Sequence, residues 1–64
     1  MNNTNRLIDL AANLLKLSRK FASEGETEKS REFEEKYSGV LMAIEYTTNL
    51  TEYRAVCIIN DMLR

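Results

Sequence analysis

No proline occurs in this chain, and its two glycines are Gly25 and Gly39. These are the residue types that interrupt a helix most strongly. With so few of them, and with helix-forming residues throughout, the chain is constrained to an all-α fold whose turns lie where breakers or caps exist. The expected architecture is an antiparallel helical hairpin plus a third helix, as a three-helix bundle or as an oligomer of longer helices. The spans expected are about 4–24, 27–47 and 50–63, within one small helical domain covering 1–64.

Apolar spacing places the helices. Leu7, Leu10, Leu14, Leu17 and Phe21 recur at alternating steps of three and four, a heptad seam. Ile8, Ala11, Leu15 and Ala22 form a second row beside it, so the apolar face is broad. Asn3 or Thr4 can cap this first helix, while Lys16, Arg19 and Lys20 suit the negative pole at its end. Gly25 then stands where a left-handed C-cap is wanted. Thr27 is the expected cap of the second helix, and apolar periodicity resumes at Phe33, Tyr37, Val40 and Ile44. The charged stretch around Gly25 therefore reads as the corner of an αα-hairpin. It lacks the ligand pattern of a calcium loop, and it is too short for a tether.

An antiparallel register about this corner sets Gly39 opposite Ala12 and Phe33 opposite the Leu17–Ser18 level. Small residues at the first of these levels suggest close packing, which would offset the roughly 1 kcal/mol that a mid-helix glycine costs. A second break is expected near Thr48, because Thr47 and Thr48 are poor helix formers and Asn49 with Glu52 resembles a capping box. The rival is one helix from Thr27 onward, roughly 55 Å long, against roughly 30 Å for the first. The last helix is apolar most of the way round: Val56, Ile59 and Leu63 make one row, Ala55, Ile58 and Met62 the next. Such a helix calls for burial on more than one side. The expected partner or oligomer interface is accordingly Tyr46, Leu50, Tyr53, Val56, Ile59, Met62 and Leu63, with the tyrosines as anchors.

Composition narrows the chemistry. With no histidine, a neutral-pH general base of that type is unavailable. Cys57 lies among aliphatic residues, where a buried structural thiol is expected rather than a nucleophile. Glu32, Glu34 and Glu35 point to different sides of a helix and read as a solvated face. No catalytic, cofactor-binding or metal site is expected. The sequons at Asn2 and Asn49 read as helix-end residues. The absence of an N-terminal signal pattern and the lone thiol fit a cytoplasmic location, and no apolar run is long enough to span a membrane.

The formal net charge is −1, so no long-range pull toward nucleic acid is expected. Lys16, Arg19 and Lys20 form a small basic patch, but Glu28, Glu32, Glu34 and Glu35 would repel phosphates from the second helix. A domain of this size is marginal alone and cannot gain an internal disulfide from one cysteine. Another protein, including a second copy, is thus the expected partner. Phe21 to Tyr37 resembles the corner of a tetratricopeptide-type hairpin in its order of aromatic, glycine, acidic turn and second helix. The alanine pattern is incomplete and one unit alone is present, so no membership follows. In size and style the chain looks like the small helical regulators and inhibitors encoded by bacteria and their phages. The expected function is a non-enzymatic protein-binding regulator or inhibitor that self-associates through its C-terminal stripe. The alternatives are a small DNA-binding regulator and an oligomeric small-molecule or nucleotide sponge.

Overall fold

The computed structural model describes residues 3–64 as three helices, α1 (Asn3–Ser23), α2 (Thr27–Thr47) and α3 (Glu52–Met62). Asn2, one of the two sequon asparagines, lies outside the described residues. Helices α1 and α2 form an antiparallel hairpin, and α3 packs against both, giving a three-helix bundle of 36 × 21 × 21 Å. The long dimension matches a 21-residue helix of about 31 Å. The chain therefore breaks after Thr47, and the single long helix is not formed.

Gly25 closes the first corner at φ 79, a left-handed conformation that glycine adopts without steric cost. The Glu26 N–H donates to the Phe21 carbonyl at 2.9 Å and the Gly25 N–H to the Ala22 carbonyl at 3.1 Å. This pair of bonds is a Schellman motif. Thr27 is not the cap of α2: that position falls to Glu26, which makes no side-chain capping bond. The Schellman turn ends at Glu26, so the capping position falls one residue before the expected Thr27. The Glu26 carboxylate instead meets Lys29 at 3.4 Å.

The second corner differs from the expected capping box. Thr51, not Asn49, caps α3, its hydroxyl accepting from the Arg54 N–H at 3.3 Å. Thr48 stops α2. Its hydroxyl donates to the Ile44 carbonyl at 2.6 Å and accepts from the Leu50 N–H at 3.1 Å, while its backbone turns extended. One short side chain thus serves the helix it ends and the turn that follows.

The core consists of Ile8, Ala11 and Ala12 from α1, Tyr37, Leu41 and Ile44 from α2, and Ala55 and Ile59 from α3. On α2 the expected Phe33, Tyr37, Val40 and Ile44 all turn inward, wholly or in part. On α1 the expected order of the rows is reversed. The central row is Ile8, Ala11, Leu15 and Ser18, whereas Leu10 and Leu17 are exposed. The cause is that α1 has two neighbours rather than one. Its buried arc must span the directions of α2 and α3, which centres it on the second row and leaves the outer members of the first uncovered.

Ser18 is buried and bridges α1 to α2, donating to the Ser30 carbonyl at 2.9 Å. One turn nearer the corner, Phe21 and Phe33 stack with centroids 5.5 Å apart. The two contacts bracket the expected register, in which Phe33 is level with Ser18, yet its ring meets Phe21, about a turn nearer the corner. Long helical side chains lean toward their own N-terminus, so Phe33 leans to the corner and Phe21 leans away from it, and the rings meet between their levels. Gly39 is the clearest correction. It is exposed, and a Cβ placed on it would meet nothing within 4 Å. It does not pack on Ala12, because it lies on the outer side of α2.

Candidate functional site

The seven residues expected to form a C-terminal interface do not share one surface. Ile59 is completely buried and belongs to the core. Leu50, Val56 and Leu63 are half-buried against that core. Tyr46 and Tyr53 remain outward at 85% and 78% exposure, and Met62 at 48%. The three-four step from Tyr46 through Leu50 to Tyr53 presupposed a continuous helix. The turn at Thr48–Thr51 interrupts that helix and rotates α3 independently of α2, which turns Ile59 inward.

What the fold does bring together is part of the basic patch and the end of the apolar stripe. Lys16 and Arg19 of α1 line a groove of about 340 Å³ with Met62, Leu63 and Arg64. Met62 and the half-buried Leu63 supply apolar surface, and three cationic side chains surround it. Ile58, also exposed, lies one turn back along α3 beside Met62. Arg64 reaches Asp61 at 3.6 Å in a highly exposed pair, which is weak by its nature. Lys20, the third member of the expected patch, does not line this groove. Nothing in the sequence spacing linked Lys16 to Met62; only the docking of α3 along α1 does so.

Arg19 also acts inward. The Tyr37 hydroxyl is held above its ordinary pKa of 10.0, chiefly because burial disfavours the phenolate. The Arg19 charge opposes this shift and the Glu52 carboxylate adds to it. Tyr37 thus lies under the fields of α1 and α3 while belonging to α2.

A second, larger concavity of about 560 Å³ lies on the opposite flank of α1, lined by Asn3, Arg6, Leu7, Leu10 and Thr47. Cys57 is exposed, contrary to the buried setting expected. It stands two positions from both Ala55 and Ile59, which places it about 200° round the helix from these core residues. Glu32, Glu34 and Glu35 are exposed on α2. Among the described residues no three His, Cys, Asp or Glu side chains cluster in a way that could hold a metal ion, and no helix is long and apolar enough to cross a membrane.

No family model, curated protein or solved structure matches this chain.

Proposed function

We propose that this chain is a non-enzymatic binding module that regulates or inhibits another protein by occupying its surface. The observation that carries the reading is the α1–α3 groove, where exposed Met62 and half-buried Leu63 lie among Lys16, Arg19 and Arg64. An apolar strip with a cationic rim complements a partner segment that is apolar on one side and carries carboxylates beside it. Ile58, exposed one turn back from Met62, extends the contact along α3, whereas Tyr53, nine residues before Met62, lies about 180° round the helix and faces away from the groove. Steric occupation of that partner's surface is the mechanism.

Leu50 is a poor test residue, because it packs on the core and its loss would weaken the fold. Ile58→Ala with Met62→Ala removes exposed contacts instead, and Lys16→Glu with Arg19→Glu reverses the rim. Both double variants should keep wild-type helicity by circular dichroism and lose the partner captured by the wild-type protein from its own host's extract. Full retention of that partner by both variants would sink the assignment.

A nucleic-acid reading draws on Lys16, Arg19 and Lys20, the first two of which line this groove. It has less support, since the exposed glutamates of α2 leave no extended basic face and the net charge is −1. A gel shift at low salt that weakens as salt rises would restore it.

A further inference from the structure

We propose that two copies of this chain pair through the hairpin face opposite α3, about a two-fold axis parallel to the helices, with both Gly25 corners at the same end. This face is separate from the α1–α3 groove, and neither reading depends on the other.

Helix α3 lies on the Lys16–Arg19 flank of α1. Leu10 is nine residues before Arg19, hence about 180° round the helix, and Leu17 lies two turns on from Leu10 on the same side. Leu10 and Leu17 are 46% and 36% exposed there, at the edge of a heptad seam whose other members already pack inward. Beside them, Thr47 closes the larger concavity with Leu7 and Leu10. Thr47, Ala43 and Gly39 are four apart, so α2 presents a row of small residues along this side. Gly39, Met42, Ala43 and Tyr46 stand at the i, i+3, i+4, i+7 positions that frame a hole for a knob from a facing helix. Gly39 leaves its floor open, with space where a Cβ would be. Met42 and Tyr46, both exposed, form its rim.

Register identifies the knob. The Ser18–Ser30 and Phe21–Phe33 contacts bracket the pairing of levels in the hairpin. Midway between them, Leu10 is level with Leu41 and Lys20 with Arg31. Rotation about an axis parallel to the helices preserves these levels and sets α1 of one copy beside α2 of the other. Leu10 then falls between Gly39 and Ala43 of the second copy, inside the hole. Lys20 falls between Glu28 and Glu32 of the second copy, one turn of helix apart. Charge and shape therefore agree on one arrangement. Pairing with corners at opposite ends would instead set α1 against α1 and α2 against α2, so that Lys20 meets the Arg6 end of the second copy's α1, a like charge, and Glu28 and Glu32 meet the Met42–Tyr46 end of its α2. The two-fold repeats both contacts, so each is made twice.

The test is sedimentation equilibrium from low micromolar to near-millimolar concentration, with circular dichroism on every variant. The wild-type protein should dimerise; a monomer throughout would overturn the proposal. Leu10→Glu and Gly39→Leu each place an unsuitable group at the knob or in the hole. Both positions are exposed in the single chain, so both variants should keep their helicity and dissociate, the first by roughly a hundredfold or more in Kd. Unchanged dimers in both would show that another face is used. Lys20→Glu should weaken the dimer at low salt, and adding Glu28→Lys with Glu32→Lys should restore it. Failure of that restoration would overturn the placement of both corners at one end.

Discussion

Between the Gly25 corner and the level of Phe33, two helices meet, and Ser18 is the one buried side chain among the described residues there. At the far end three helices meet, and Ile8, Ile44, Ala55 and Ile59 are enclosed. Directional contacts organise the corner: a left-handed glycine, a Schellman pair, a serine bridge, a stacked pair of phenylalanines. Lys29 and Lys36 cover those rings with their cations 5.4 and 5.1 Å from the Phe21 and Phe33 centroids. The far end relies on apolar burial closed over by an 11-residue helix. The comparison teaches that α3 stabilises the half of the hairpin that has no specific polar or aromatic lock. The corner, made of contacts close in sequence, sets direction and register.

Removing apolar volume at the far end should have the largest effect. Ile59→Ala and Ile44→Ala each empty a fully buried site and should cost about 2–5 kcal/mol. In a domain this small that approaches the whole stability. Urea titration followed by circular dichroism should show either variant largely unfolded in buffer. Phe33→Ala, at the half-exposed corner stack, should cost less than either. The reverse order would place the main stabilisation at the corner and break the comparison.

Backbone strain comes next. Gly25→Ala forces a Cβ into the left-handed region and should cost about 1–2 kcal/mol, seen as a lower thermal midpoint with unchanged helical content. No neighbouring atom lies within 4 Å of the added Cβ, so the cost is conformational rather than a clash. A variant as stable as wild type would show that the Schellman turn can rearrange. Ser18→Ala is smaller, about 0.5–1.5 kcal/mol, because it removes one hydrogen bond to a carbonyl already engaged in its own helix. Hydrogen exchange should localise the loss near the corner and leave the Ile44–Ile59 end protected.

The same contrast governs what the sequence could reveal. Gly25 announced its corner because glycine's conformational freedom is a local property. The inward face of α2 was legible from Phe33, Tyr37, Val40 and Ile44 because α2 presents one continuous apolar stripe. Leu10 and Leu17 were assigned to the core because they continue a perfect heptad. Periodicity shows which side of a helix is apolar, but the directions from which neighbours arrive determine which part is covered. Thr51 was missed as a cap because Asn49 and Glu52 match a stronger local pattern. The competing bonds of Thr48, to Ile44 behind it and Leu50 ahead, move the helix start. The basic patch was legible as three cations. The association of Lys16 and Arg19 with Met62 and Leu63 was not, since it arises from the docking of two helices about 45 residues apart in sequence.

The smallest effect probes the boundary between the two ends, where Tyr37 is buried between the corner lock and the apolar core. Burial holds its hydroxyl above the ordinary value of 10.0, so the fold favours the neutral phenol more than the unfolded chain does. The sign follows from linkage: this contribution is fully present below about pH 10.0 and is lost as pH rises through the higher folded value. Wild type should therefore lose stability in that alkaline window more steeply than Tyr37→Phe, which keeps the ring and removes the titrating group. Ultraviolet tyrosinate absorbance, taken as wild type minus Tyr37→Phe, should isolate a titration above 10.0. Because Arg19 opposes the shift, Arg19→Gln should move that titration higher still; because Glu52 adds to it, Glu52→Gln should move it lower. A midpoint for Tyr37 at or below its ordinary value would mean that water reaches the hydroxyl freely. The enclosed region would then begin at Leu41 rather than Tyr37, shortening the far-end core by about one helical turn.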